Sequence, residues 1–248
     1  MTTLVLGGGA AWGIAHLGVL DVLMTAGYRF DRVVGTSAGA IVGAMLAADV
    51  SLDDMKELVK SIQWSDLGHL TVPRLGFMDS SAIETLLEEA IGKDRQFEDL
   101  ALPLQVVATD IQRGEQWVLD QGSVARAVRA SASIPGVFTP VEHQGRLLVD
   151  GGLVNNLPVD VAAESGDGPI IAVQLVYAFP QDRPENLLEL GLLCFGVMQK
   201  SRMKSEAKAA DVLIKPDLSG ISAADLSAYE TLLERGRAAA RDELDSLT

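Results

Sequence analysis

The stretch Arg32-Val33-Val34-Gly35-Thr36-Ser37-Ala38-Gly39 decides the fold, because an apolar strand-like run passes through it into the helix-forming run Ala40 to Ala48. The pattern reads as a nucleophile elbow. A serine on a tight turn between a strand and a helix is held outward, while Gly35 and Gly39 let the backbone crowd and the helix pack close to the strand. The helix N-terminus beneath it favours the negative charge that develops in acyl transfer. Alone, GxSxG is a modest signal, since small-residue turns also arise by chance in chains rich in Gly and Ala.

Outward from the elbow, short apolar segments alternate with longer helical patterns: Leu4 to Leu6, Arg32 to Val34, Leu104 to Ala108, Pro169 to Val173 and Asp211 to Ile214. That alternation predicts an α/β domain with a largely parallel sheet covered on both faces. Trp117 to Leu119 and Arg146 to Val149 read as further strands, the second after a Gln144-Gly145 turn. Ser51 with Asp54, Ser81 with Glu84 and Ser222 with Asp225 have capping-box spacing and predict helix starts. The irregular stretches Gln63 to Met78 and Tyr177 to Met198 fit either a flap over an apolar pocket or loops pinned to the core.

With 248 residues, 48% of them hydrophobic, the chain can bury a full core. It carries no repeat, low-complexity tract or Gly/Ser linker, so one domain over residues 1–248 is the simplest division. A single cysteine, Cys194, excludes an internal disulfide and a Cys-based zinc cage. The start Met1-Thr2-Thr3 lacks the pattern of a signal peptide, so a cytoplasmic setting is expected. The apolar run Leu187 to Met198 contains Glu189 and is too short to span a bilayer, though apolar enough to serve an interface. Oligomeric state stays open. The formal net charge of −14 disfavours nucleic acid and tight docking on anionic membranes. Any contact with a lipid surface is expected to be transient or carried by apolar side chains, at the periphery of the membrane.

The chemistry sits in three pieces. In the first, Leu4-Val5-Leu6 feeds the turn Gly7-Gly8-Gly9-Ala10-Ala11-Trp12-Gly13 and then the helix Ile14 to Ala26. Such a turn offers unobstructed backbone N–H groups to a phosphate or an oxyanion. A dinucleotide fingerprint fails on spacing: read from Gly7, Trp12 takes the third glycine's place, and read from Gly8, Ala10 takes the second's. The second piece is Ser37, which needs a base. Of the three histidines, His16 falls among apolar residues of a helix, His69 in an irregular stretch and His143 on the Glu142-His143-Gln144-Gly145 turn, so a Ser-His-Asp triad is weak. The third is Leu147-Leu148-Val149-Asp150-Gly151-Gly152, a carboxylate at a strand end with open space beside it, although Asp-Gly-Gly is also an ordinary turn. A two-residue mechanism follows, in which Asp150 takes the Ser37 proton and partial desolvation makes it a better base.

In this order the three pieces resemble the patatin-like phospholipase family. Arg129 to Phe138 is similar to that family's proline-containing segment, and Leu148 to Pro158 to its aspartate motif. Lys215-Pro216-Asp217-Leu218 resembles a feature of small bacterial members related to neuropathy target esterase. The likeness runs from Leu4 to Arg241, with breaks at Gln63 to Met78 and Tyr177 to Ser205. It implies a three-layer α/β/α sandwich with a mostly parallel central sheet and hydrolysis of fatty acyl esters such as phospholipids or lysophospholipids, with no cofactor and no metal. Carried over residue by residue, it makes Ser37 the nucleophile and Asp150 the general base. Gly8, Gly9 and Ala10, joined by the N–H of Ala38, become the oxyanion donors, and Gly7, Gly13, Gly35, Gly39, Gly151 and Gly152 the motif glycines.

One position departs from the family pattern, which usually has arginine or lysine where this chain has Trp12. If that cation serves an anionic head group, Trp12 shifts preference towards uncharged acyl esters. Two other functions keep the same residues: a lipid-binding or regulatory protein without catalysis, and an acyltransferase using the same acyl-enzyme.

Overall fold

Runs of Val, Ile and Leu, each closed by glycine or polar residues, form the strands, and most are buried on both faces. The computed structural model describes residues 1–70, 75–164, 166, 168–175, 183–184 and 187–244. In chain order the strands are β1 (Thr3–Leu6), β2 (Arg32–Thr36), β3 (His69–Leu70), β4 (Gly76–Asp79), β5 (Leu104–Asp110) and β6 (Glu115–Leu119). They continue with β7 (Gly136–Phe138), β8 (Val141–His143), β9 (Arg146–Asp150), β10 (Ile170–Val173) and β11 (Val212–Ile214). The helices are α1 (Ile14–Thr25), α2 (Ala38–Ala47), α3 (Leu52–Ser61), α4 (Ser81–Ile91), α5 (Val124–Ser131), α6 (Val159–Glu164), α7 (Leu187–Glu206) and α8 (Tyr229–Leu244).

Strands β11, β10, β1, β2 and β5 lie side by side and parallel, and β6, β9 and β8 extend the sheet with antiparallel pairs. Side chains alternate between two buried faces, as a doubly covered sheet requires. Leu4, Leu6, Val33 and Val106 enter the larger core with α1, α2, α5 and α8. Val5, Val34 and Val107 point the other way, to Leu157, Val159, Val161 and Ala162 in and before α6. The doubly covered sheet expected from the alternating pattern, and the three-layer α/β/α arrangement that the resemblance implies, are present. Among the described residues no helix is long and apolar enough to cross a membrane.

The pairing along β5 brings the distant sequence pieces together. One edge of β5 pairs with β6 from Val106 to Asp110. The other edge is shared: β2 occupies it up to the pair Thr36 with Val107, and β9 takes over at the next position, where Ala108 pairs with Asp150. Two strands of opposite direction therefore meet end to end. The residue after one, Ser37, and the last residue of the other, Asp150, are neighbours although they lie 113 positions apart.

Some expectations shift. Ser51 caps α3 as expected, accepting the Asp54 N–H at 3.1 Å. Ser81 does not cap α4; its own N–H donates to Asp79 Oδ1 at 2.7 Å, and Glu84 is drawn to Arg129 at 3.0 Å, where an ion pair outweighs a capping bond. Asp225, not Ser222, caps the short turn Leu226–Ala228. Within Gln63 to Met78, a 3-10 turn (Trp64–Asp66) precedes β3 and β4, which join β7 in a separate small sheet; residues 71–74 lie outside the described residues. Of the second irregular stretch, residues 176–182 and 185–186 also lie outside them, and Leu187 onward is helix α7.

The helix after the elbow sits so close to the sheet that a Cβ on Gly39 would run into the Leu6 carbonyl oxygen, part of the backbone and unable to yield. A Cβ on Gly43 would crowd the Val33 Cγ1 methyl at 2.9 Å, with the Leu104 and Leu6 Cδ1 methyls at ordinary contact distance. Gly39→Ala is expected to cost roughly 1–3 kcal/mol in urea unfolding, and Gly43→Ala clearly less, since a side chain gives way more cheaply than backbone.

Candidate active site

Ser37 is the single residue between β2 and α2, and its backbone lies at φ 54°, ψ −123°. A non-glycine residue there stores strain, on the order of 1–3 kcal/mol, so the surroundings must hold it. They do so through side chains and backbone. The Ser37 N–H donates to Ser131 Oγ at 2.8 Å, and that hydroxyl donates to the Val107 carbonyl at 2.6 Å, tying the elbow to β5. The Ser37 carbonyl accepts from Ala40 and Ile41 and starts α2. A Cβ on Gly35 would press on Ala40, and one on Gly13 on the Ala38 methyl at 2.7 Å, so both glycines keep the elbow tight.

Asp150 ends β9 and is buried. Ser37 Oγ–H donates to Asp150 Oδ2 at 2.7 Å, and the Gly152 N–H donates to Oδ1 at 2.8 Å. The backbone is fixed as well: Asp150 N–H donates to the Ser133 carbonyl at 2.9 Å, and Thr109 Oγ1 donates to the Asp150 carbonyl at 2.8 Å. Burial pushes the carboxyl up from 3.8 to about 6, against the opposing pull of the Ser37 hydroxyl and the Gly152 N–H. The carboxylate is thus a stronger base than an ordinary aspartate and still ionised near neutrality. Gly151 allows this turn, because a Cβ there would collide with the Val107 carbonyl.

In the glycine-rich turn, Gly7 N–H donates to the Val173 carbonyl at 3.1 Å and Gly8 N–H to the Asn156 carbonyl at 3.0 Å. Gly8 was expected as an oxyanion donor, but its N–H is already engaged. The N–H groups of Gly9, Ala10 and Ala38 have no acceptor among the described residues. Ala10 takes the left-handed backbone at φ 50°, which aims successive N–H groups away from the strand direction.

An almost wholly apolar pocket opens beside Ser37, walled by Ile14, Ile41, Val59, Trp64, Ile134, Phe138 and Leu226 among others. Such a lining suits a hydrocarbon chain. Among the described residues no histidine lines the pocket, and the His69 side chain lies outside them. His16 is buried in α1, its Nε2 lies 2.8 Å from the Gly7 carbonyl, and burial lowers its pKa to about 4, so it is neutral and can donate to that carbonyl. His143 ends β8 opposite Arg146, at the far end of β9 from Asp150, roughly 13 Å away by the rise of a strand. Trp12 is buried too, and its Nε1–H donates to the Ile221 carbonyl at 3.1 Å. Where a cation was expected, an indole clasps the segment that carries Leu226 into the pocket wall.

Residues 4–163 match the family model described as patatin-like phospholipase. The chain belongs to the patatin-like phospholipase family. An uncharacterized NTE family protein of Mycobacterium tuberculosis is 34% identical over 98% of this chain and 46% of its own length. Human patatin-like phospholipase domain-containing protein 6 is 37% identical over 69% of this chain and 13% of its own length. The chain thus spans about half the mycobacterial relative it matches. Among solved structures, VipD from Legionella pneumophila superposes with a TM-score of 0.62 at 17% identity, over 99% of this chain and 67% of VipD. ExoU, in its complex with SpcU from Pseudomonas aeruginosa, gives 0.55 at 19% identity, over 99% of this chain and 51% of that one. These likenesses show the same patatin-like fold.

Within this patatin-like frame, sequence reasoning missed the residues that hold Ser37 and Asp150 in place. Ser131 and Ser133 were visible only as parts of the proline-containing segment, and nothing in the sequence alone marked them as partners of Ser37 and Asp150. Because the folded protein holds a proton on Asp150 more tightly than the unfolded chain does, the ionised carboxylate lowers stability. That cost is absent below about pH 4 and complete above about pH 6. Asp150→Asn stays neutral and is expected to exceed the wild type in stability by on the order of 1–3 kcal/mol at about pH 8, losing the margin by about pH 4. Urea unfolding across that range checks it; equal stability at both ends would show a well-solvated carboxylate.

Proposed function

We propose that this chain is a serine acyl hydrolase that cleaves fatty acyl esters of phospholipids, lysophospholipids or related lipids through an acyl-enzyme intermediate. The observation that carries the reading is the 2.7 Å hydrogen bond from Ser37 Oγ to a buried carboxylate, at the wall of an apolar pocket. As Oγ attacks the ester carbonyl carbon, its proton passes to Asp150 Oδ2. The negative charge then forms on the former carbonyl oxygen, within reach of the Gly9, Ala10 and Ala38 N–H groups, whose help is worth on the order of 3 kcal/mol per lost donor. Asp150 returns the proton to the leaving alcohol. In the second half it takes a proton from the water that attacks the acyl carbon and returns it to Ser37 Oγ as the bond from Oγ to the acyl carbon breaks, which releases the fatty acid and restores the Ser37 hydroxyl and the Asp150 carboxylate.

The acyl chain lies in the apolar pocket and the head group faces outward. With Trp12 buried where the family usually has a cation, and a net charge of −14, an anionic head group meets no fixed positive partner from that position. The reading sets the activity in the cytoplasm, in transient contact with lipid surfaces.

A fluorophosphonate probe is expected to label Ser37, identified by peptide mapping, and p-nitrophenyl esters of graded length to be hydrolysed. Ser37→Ala and Asp150→Asn are expected to lose turnover by on the order of 10³-fold or more, the scale of a nucleophile or its base. Phospholipids with neutral head groups should give a higher kcat/KM than anionic ones of the same acyl chain. Unlabelled Ser37 in folded protein, with ester turnover intact in both variants, would sink the dyad; unlabelled Ser37 with no ester turnover in the wild type would favour a lipid-binding protein.

A further inference from the structure

Helix α7 is fastened to the active centre by polar side chains. Toward the segment after Asp150 it presents Gln199, Arg202 and Glu206, whereas its Leu190, Val197 and Met198 stay exposed. Arg202 Nη1 donates to the Leu153 and Val154 carbonyls at 2.6 and 2.9 Å, and Glu206 accepts the Asn156 and Leu157 N–H groups, both at 3.2 Å. Gln199 reaches deepest. It is buried, and its Nε2 donates to Asn156 Oδ1 at 3.0 Å.

Asn156 in turn clasps Gly8 through the peptide groups on both its sides. Its carbonyl accepts the Gly8 N–H at 3.0 Å, and its Nδ2 donates to the Gly8 carbonyl at 3.2 Å. The order of donors and acceptors is forced. The Gly8 carbonyl can only accept, so the Asn156 amide must turn its nitrogen to it, which leaves Oδ1 outward and requires a donor there. Gln199 Nε2 is that donor. Space is made for the amide pair by two motif glycines: a Cβ on Gly8 would stand 2.5 Å from Asn156 Oδ1, and one on Gly152 2.5 Å from Gln199 Nε2.

We propose that Gln199 is a positioning residue for the oxyanion turn, acting from α7 through the Asn156 amide. By donating to Oδ1, it holds that amide in the orientation the Gly8 carbonyl requires, and so steadies the Gly8–Gly9 peptide that carries the Gly9 N–H and leads into that of Ala10. The assignment rests on the oxyanion role proposed above. It separates the shape of the turn from the base, since Gln199 makes no hydrogen bond to Asp150.

Gln199→Ala removes the donor, and Gln199→Glu keeps the shape while setting a carboxylate against Asn156 Oδ1, which drives the amide to flip and turn its oxygen on the Gly8 carbonyl. Both are expected to lower kcat on a p-nitrophenyl ester by on the order of 10- to 100-fold with KM unchanged, the scale of a misplaced catalytic group. The acidic limb of the pH profile stays with Asp150 in Gln199→Ala. Hydrogen exchange of residues 7–13 is expected to accelerate in both variants, while the outer-face variant Val197→Ser leaves kcat and exchange as in the wild type. Wild-type kcat in both Gln199 variants, or a loss confined to KM, or unaltered exchange of the turn, overturns the assignment. Should the wild type neither hydrolyse esters nor take the fluorophosphonate while exchange still accelerates in the variants, the hydrolase reading fails and the brace on Gly8 stands.

Discussion

Everything at the site depends on how one edge of β5 is divided. If β2 filled that edge, β9 would have no place there and Asp150 would be elsewhere; if β9 filled it, the elbow would have no strand beneath it. The change of partner falls between Val107 and Ala108, where Thr36 ends one pairing and Asp150 the other. Backbone hydrogen bonds of the sheet, not side-chain attraction, therefore set the Ser37 to Asp150 distance. The side chains need only close the last 2.7 Å.

That arrangement carries two costs that serve chemistry. Ser37 holds a backbone conformation that only outside restraint maintains, and Asp150 sits without water around its charge. Each is offset nearby. Ser131 links the elbow to β5, Ser133 and Thr109 fix the backbone of Asp150, and the larger core beneath α1, α2, α5 and α8 supplies the rigidity. The raised pKa of Asp150 thus comes at a cost in stability, which the neutral asparagine variant measures.

Much of this was legible in the chain. The alternation of apolar segments gave the parallel strands, because side chains buried on both faces leave continuous Val, Ile and Leu runs; the elbow and the Asp-Gly-Gly stop marked the two residues that the sheet brings together. What stayed hidden depends on contacts between remote segments. That Gly8 spends its N–H on Asn156, and that Gln199 completes the chain of amides, follows from three segments meeting. The Ser81 with Glu84 pair failed for the same reason: Arg129, forty-five positions away, competes for the carboxylate. Trp12 shows the opposite lesson, since a residue out of pattern in the motif found a packed and hydrogen-bonded place of its own.

The claim that Asp150 alone activates Ser37 is tested most directly by the pH dependence of fluorophosphonate labelling at Ser37. The account gives a rate that falls as one proton is taken up, with a midpoint of about 6, and a residual rate without that limb in Asp150→Asn. A wild-type rate independent of pH between about 5 and 8, or a limb that persists in Asp150→Asn, would contradict it.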